Sequence, residues 1–296
     1  MTLSAPAVLR VPVADGVALS VRRTDPAPGT DPAAPPFLLV HGLASNARMW
    51  DGVAARLAAA GHAVVAVDQR SHGASDASDR LDLATLVEDL VAVAAAAGLE
   101  RPFAVGQSWG GNVVLELGAR RPDAVRGVAG VDGGLIDLSS RFPDVASCWA
   151  ALAPPSFEGL TRGAIEAHLR ARTAGWPDGA AAAQLGNFRL GPGAGDAARP
   201  VLTRERHRRI VEDLYGHRPL ERVADLRVPF LMLPVTGTAR SVVAEEQLDA
   251  AAARAGAGFD VVRLPGRDHD VHLEAPDLVA ELLRTWATGG ALPTTA

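Results

Sequence analysis

The sequence predicts an α/β protein, a mostly parallel central sheet with helices on both faces and a helical insertion between two of its later strands. Three observations carry that reading. Short, wholly apolar runs bounded by turn residues alternate with longer segments of helical period, and the connections are short. One strand runs directly into a helix through Gly106-Gln107-Ser108-Trp109-Gly110. Regularity then fails from about residue 135 and returns near residue 225, so the expected organisation is a core, 1–134, an inserted helical unit, 135–224, and the rest of the core, 225–296.

Taken in order, alternating apolar residues at 7–13 and 17–22, separated by Asp15-Gly16, predict an antiparallel hairpin at a sheet edge. A loop dense in Pro, Gly and Asp follows at 25–36. Residues 37–40 are apolar throughout and flanked by breakers, as a central strand covered on both faces requires, and they end in His41-Gly42-Leu43-Ala44. A helix is expected over 46–60, a buried strand over 63–67, and a helix over 83–97 that stops at Gly98. The strand before Ser108, the helix after it and a strand at 125–131 complete the first part. The irregular region holds helical pieces at 163–173 and 204–215 around a Gly-Pro-rich loop at 191–195. A strand at 228–235, a helix at 244–255, a last strand at 259–264 and a closing helix at 276–287 follow, with a loose tail from 289.

Composition excludes several classes of partner. The formal net charge is -5 and every fixed side-chain cation is an arginine, so a face basic enough to neutralise phosphates, and with it nucleic acid, is not expected. A small neutral or organic substrate is the more natural partner. The single cysteine, Cys148, cannot form an internal disulfide and reads as a small buried apolar residue. Residues 1–10 lack a basic segment followed by an apolar run, and the most apolar helical stretch, 90–99, is too short for a bilayer. A cytoplasmic protein without membrane contact is the expectation.

The chemistry starts at Ser108. A serine on a tight strand-to-helix turn has its hydroxyl exposed, and only small residues two before and two after it avoid a clash, a need that Gly106 and Gly110 meet. A serine hydroxyl is a poor nucleophile at neutral pH, so a general base and a group to orient it are expected. His269 lies in the loop after the last strand, within Gly266-Arg267-Asp268-His269, and Glu274 and Pro276 follow at the start of the closing helix. Serine first and histidine last is the chain order of the α/β-hydrolase fold.

On these residues the chain resembles the α/β-hydrolase family over nearly its full length. His41-Gly42 is similar to the family's oxyanion loop, 106–110 to its nucleophile elbow, His269 with Glu274 and Pro276 to its terminal histidine segment, and the insertion to its cap. The resemblance implies a serine hydrolase in which the backbone N–H groups of Leu43 and Trp109 hold the oxyanion, with neither metal nor cofactor. Position 108 would be Asp in epoxide hydrolases and haloalkane dehalogenases. One part departs from the pattern: residues 236–241, where members usually carry the triad acid, contain no carboxylate, and the first ones are Glu245 and Glu246. Some members place the acid after the preceding strand, and there Asp132 stands before Gly133-Gly134, at the same sheet edge as Ser108. Asp132 is therefore the expected acid, a polar turn residue being its other reading.

The remaining candidates have milder roles. His272, three residues after His269, is the lesser candidate for the base. His41 with Gly42 is expected to shape the substrate side of the oxyanion loop, and His72 to be structural. His168, His207 and His217 have no metal-ligand spacing. Trp149 and Trp176 are candidate substrate contacts, alongside Phe157 and Phe188, and packing within the insertion accounts for them equally well. The expected activity is cleavage of a carboxylic ester, lactone or thioester with an apolar acyl or ring portion. Carbon–carbon bond hydrolysis or a non-hydrolytic reaction in the same site is the alternative within enzymes. A ligand-binding receptor on the same fold is the alternative outside them, and only the displaced acid favours it.

Overall fold

Strand pairing begins with the expected hairpin. In the computed structural model, β1 (Ala7–Pro12) and β2 (Ala18–Thr24) pair antiparallel and turn through Asp15 and Gly16 at φ 64° and 70°. The described residues are 5–31, 33–237 and 242–296, so residues 1–4 of the N-terminal segment, Pro32 of the first loop and residues 238–241 of the carboxylate-free stretch lie outside them. β3 (Phe37–Val40) and β4 (Val64–Val67) follow, with α1 (Asp51–Ala59) between them, preceded by a 3-10 turn at Ala47–Trp50. Next come α2 (Leu83–Ala96), β5 (Phe103–Gln107), α3 (Trp109–Arg120) and β6 (Gly127–Val131).

Between β6 and the next sheet strand, the chain forms α4 (Val145–Leu152), α5 (Arg162–Arg172), α6 (Ala180–Leu185), α7 (Arg204–Gly216) and α8 (Pro219–Asp225). It also forms a small antiparallel ribbon, β7 (Phe188–Leu190) with β8 (Ala198–Pro200), which the sequence reading missed. The Gly-Pro-rich segment at 191–195 is the turn of that ribbon. The core resumes with β9 (Phe230–Leu233), β10 (Val235–Thr236), α9 (Glu245–Ala252), β11 (Phe259–Val261) and β12 (Leu264–Pro265). The chain closes with α10 (Val271–Glu274) and α11 (Pro276–Ala287). The last strand thus divides: β11 joins the main sheet and β12 pairs with β10 outside it. The tail, expected to be loose, pairs instead with Arg263, whose N–H donates to Thr294 O and whose O accepts from Ala296 N–H.

The main sheet has eight strands in the order β1-β2-β4-β3-β5-β6-β9-β11. Its first two pairings are antiparallel and the others parallel. Side chains alternate across it: Leu38, Val40, Val65 and Val67 join the core with α2 and α3, whereas Phe37, Leu39, Val64 and Ala66 join the core with α1 and α11. Both faces are covered, which is why these strands read as unbroken apolar runs.

Two polar clusters fix what the apolar layers leave loose. Arg70, after β4, is fully buried and grips Asp89 of α2 through Nε at 2.5 Å and Nη2 at 2.8 Å. That fork locks the loop carrying Gln69 and His72. At the other end of the helical layer, the fully buried Asn112 of α3 accepts from the N–H groups of Gly134 and Ile136 at 3.2 and 3.3 Å. Its amide donates to Ile136 O at 2.9 Å and to His217 Nδ1 at 3.0 Å, and His217 Nε2 donates to Glu116 of α3 at 3.3 Å.

Removing one partner of a buried ion pair leaves a desolvated charge, so Arg70→Met is expected to lower stability by about 3–5 kcal/mol. The double change Arg70→Met with Asp89→Leu is expected to restore most of the loss, and denaturant unfolding of the three proteins measures both.

Candidate active site

The site is built where β3, β5 and β6 end, because parallel neighbours deliver their following loops to one sheet edge. Ser108 sits between β5 and α3 at φ 53°, ψ -125°, a backbone that non-glycine residues rarely adopt. Its neighbours must be glycine. A Cβ on Gly106 would stand 2.0 Å from Gly110 O, and one on Gly110 would stand 2.5 Å from His41 O. The next loop closes against the same turn: a Cβ on Gly133 would lie 2.1 Å from Ser108 O, and one on Gly111 would lie 2.4 Å from Gly134 N. Gly133 and Gly134 are therefore part of the turn's packing. Their position directly after Asp132 was the available signal, and the sequence reading took them only as a turn.

Asp132 is also held at a positive φ, 41°, and is fully buried. Its N–H donates to Leu233 O at 2.9 Å, and its Oδ1 accepts from Val235 N–H at 3.0 Å. The other carboxylate oxygen receives His269 Nδ1 at 2.5 Å. That contact leaves Nε2 of His269, whose side chain is 27% exposed, as the nitrogen free to serve a substrate. Burial pulls the His269 pKa down, but the hydrogen bond and charge of Asp132, with Asp270 and Asp268 adding, outweigh it and leave the pKa above the usual 6.5. No hydrogen bond joins Ser108 to His269 among the described residues. Such contacts are often long in ligand-free sites and tighten on substrate binding.

Gln107, Arg172 and Gln184 escaped the sequence reading as supporting residues because their partners are distant in the chain. Gln107, immediately before Ser108, donates to His269 O at 3.0 Å. Glu274 accepts the Asp268 N–H at 2.8 Å, which gives the carboxylate before Pro276 a concrete task in shaping the His269 loop. Arg172 of α5 reaches Asp268 at 3.1 Å and Asp270 at 2.9 Å, so the insertion clasps both flanks of His269. Gln184 of α6 adds a contact to Asp270 at 3.3 Å.

The loop after β3 is braced by neutral histidines. His41 donates from Nδ1 to Gly42 O at 2.7 Å and accepts Gln69 N–H at Nε2 at 3.0 Å. His72 donates to Arg70 O at 2.8 Å and accepts Ala44 N–H at 3.2 Å. Burial lowers the pKa of His41 to about 4 and that of His72 to about 3. A Cβ on Gly42 would lie 2.4 Å from Gln107 Oε1 and 3.0 Å from Ser108 Cβ, so a larger residue there would push the Gln107 side chain aside. The N–H groups of Leu43 and Trp109 find no acceptor among the described residues, which leaves both free for a ligand. His272 does not reach Asp132: it is buried against Trp50, ring centroids 4.4 Å apart, with its pKa lowered by burial to about 3.

Two neighbouring cavities open beside the loop after β3. The larger, about 790 Å³, runs from Ala44, Ser45 and His72 to α4, Phe157, Phe188 and the start of α7. The smaller, about 310 Å³, touches Leu43, Ser45, Met49, Gln184 and Asp270. Phe157 and Phe188 line both. Trp149 and Trp176 line neither of these cavities. Trp149 is stacked against Arg204 and Arg208 with His207 at its edge, and Trp176 packs with Met49, Ala183 and Leu273 under Arg172. Their large flat faces are spent on packing the insertion and on arginine stacking. Among the described residues no group of His, Cys, Asp or Glu side chains has the arrangement to hold a metal ion, and no helix is long and apolar enough to cross a membrane.

Comparison with known proteins places this geometry among relatives. The family model described as the alpha/beta hydrolase family matches residues 37–282. Epoxide hydrolase B of Mycobacterium tuberculosis is 35% identical over 104 residues, 34% of this chain and 29% of that protein. Esterase YbfF of Escherichia coli is 30% identical over 109 residues, 37% of this chain and 42% of that protein. The chain thus spans less than half the length of either curated relative. Among solved structures, E-2-(acetamidomethylene)succinate hydrolase superposes with a TM-score of 0.75 over 96% of this chain and 100% of the other, at 22% identity, a likeness of fold.

Four buried histidines, His41, His72, His207 and His272, have pKa values lowered to about 4 or 3, so the unfolded chain takes protons below pH 6.5 that the folded chain refuses. Stability is therefore fully present above about pH 6.5 and falls as the pH drops towards 4, with unfolding at pH 5 expected to take up about three to four protons more than at pH 8. Urea unfolding across that range measures the slope, and His272→Phe is expected to reduce the uptake by about one proton.

Proposed function

The chain belongs to the α/β hydrolase family, and from that premise we propose that it is a serine hydrolase cleaving a carboxylic ester, with lactones and thioesters in the same chemical class. Ser108 is the nucleophile, His269 the general base and acid, and Asp132 the group that orients the imidazole. The observation that carries this reading is the fully buried Asp132 carboxylate on His269 Nδ1, at the strand end next to a serine held at positive φ. The contact puts the His269 proton on Nδ1 and leaves Nε2 to accept the Ser108 proton as Oγ attacks the substrate carbonyl. The carbonyl oxygen becomes an oxyanion held by the Leu43 and Trp109 N–H groups, the second also at the start of α3. His269 then gives its proton to the leaving alcohol, and a water activated by the same imidazole releases the acid.

The insertion over residues 135–224 acts as a cap above this site. Ser108 supports acyl transfer rather than epoxide opening, since the family's epoxide hydrolases would have Asp at this position. The epoxide hydrolase relative is therefore a guide to ancestry and not to the reaction. The displaced acid, which in sequence was the one feature favouring a binding protein, loses that force once Asp132 is bonded to His269.

A fluorophosphonate probe is expected to label the wild-type chain and not Ser108→Ala. Failure to label the former, or equal labelling of both, overturns the nucleophile. With an activated ester such as p-nitrophenyl acetate, Asp132→Asn is expected to lower turnover by about 10³–10⁴-fold. The wild-type kcat/KM is expected to rise with pH through the His269 pKa, which lies above 6.5, because only the neutral imidazole accepts a proton. Asp132→Asn moves that limb to lower pH, as the charge favouring the imidazolium is gone, whereas Glu245→Gln leaves rate and profile in place. Equal turnover by wild type and Asp132→Asn sinks the assignment of the acid.

A further inference from the structure

The larger cavity carries an asymmetry of charge that the ester chemistry does not use. Its walls are mostly apolar, with Phe157, Phe188, Val201 and Leu202 among them, and its floor is Ala44 and Ser45 of the loop after β3. Asp and Glu are absent from its lining, and Arg204 is the one residue there with a permanent charge. His72 and His207, the titratable lining residues, are kept neutral by burial.

Arg204 is held in place rather than left to wander. Its guanidinium lies over the Trp149 ring, 5.2 Å from the centroid, and Nη1 donates to Pro154 O at 2.6 Å. Among the described residues it pairs with no carboxylate; Arg204 is exposed at the cavity's rim, and its Nε and Nη2 hydrogens, without a protein acceptor, are open to solvent and to a ligand. The neighbouring arginines of α7 differ: Arg206, Arg208 and Arg209 are paired with Asp79, Glu212 and Glu205. The free Nε–Nη2 edge is the planar fork that matches the two oxygens of a carboxylate.

We propose that this cavity receives the part of the substrate remote from the scissile bond, and that it selects an apolar acyl or ring body ending in a single carboxylate, which Arg204 binds. The inference rests on the hydrolase reading for the word substrate, but the pocket's preference for a carboxylate is independent of Ser108. A volume of about 790 Å³ admits a body the size of an ordinary small organic ligand. The substrate class thereby narrows from neutral esters to half-esters of dicarboxylic acids and esters of comparable shape.

The test is a binding measurement that needs no turnover. Isothermal titration of 6-phenylhexanoate and of 6-phenyl-1-hexanol into Ser108→Ala is expected to show the carboxylate bound about tenfold tighter, the usual scale for a charge-assisted pair. In Ser108→Ala with Arg204→Gln, that preference disappears, and with Arg204→Lys it is partly kept. Thermal unfolding checks that each variant is folded, and the lysine variant keeps the test decisive if glutamine disturbs the stacking on Trp149. Equal binding of the two probes by Ser108→Ala overturns the proposal. So does a carboxylate preference that survives Arg204→Gln, since the anion would then sit elsewhere, for instance at the Leu43 and Trp109 N–H groups. Loss of fluorophosphonate labelling would refute the hydrolase reading without changing either result.

Discussion

The structure depends on one crowded backbone junction. Ser108 is held at a positive φ, a conformation that brings β5 and α3 so close that Gly106 has no room for a Cβ, while the end of β3 leaves none at Gly110. The loops after β3 and β6 then press on the same turn from two sides, through His41 O and Gly133. The strain at the serine is thus maintained by contacts of main chain with main chain, which a sheet of parallel neighbours supplies at a single edge. Once those three loops are fixed, the positions of Asp132, of the Leu43 and Trp109 N–H groups and of the Gln107 side chain follow with little freedom left.

Polar groups then secure what the apolar layers cannot orient. The Arg70–Asp89 fork holds the loop after β4, whose Gln69 and His72 hold the loop after β3. The His269 loop is pinned from the core by Gln107 and from the insertion by Arg172. Arg172 has an electrostatic role besides its geometric one. By pairing with Asp268 and Asp270 its single charge lies against the two carboxylates that raise the His269 pKa and offsets part of their effect. The basicity of His269 is thus set mainly by burial against the Asp132 carboxylate.

Much of this was legible from local pattern. The runs at β3 and β4 are too short for helices and apolar at every position, and the glycines around Ser108 mark a turn that tolerates nothing larger. Asp132 could be singled out as a partner for His269, which it does contact, because the stretch after β9 offers no carboxylate and the sheet puts the end of β6 beside Ser108. What local pattern could not reach was set by contacts distant in sequence. Nothing around Arg172 foretells a clasp on Asp268 nearly a hundred residues later, and nothing around Gln107 foretells its bond to His269 O. The ribbon of β7 and β8 was hidden because three-residue strands are shorter than any periodicity can register. Trp149 and Trp176 were ambiguous for a related reason: an aromatic side chain suits a pocket wall or a packed interior equally, and only the arginines stacked on them decide.

The buried amide of Asn112 has a consequence of another kind. It touches Ile136, where the chain leaves the core, and His217, where the chain is about to return, so the two ends of the excursion lie side by side on one helix. Bringing the ends of such an excursion together costs an entropy that grows only with the logarithm of its length, about 0.6 kcal/mol for each doubling. The segment above Asn112 is in that sense a cassette. Its helices can lengthen or shorten at modest entropic cost while the sheet below keeps the same two anchor points, Ile136 and His217, on one asparagine.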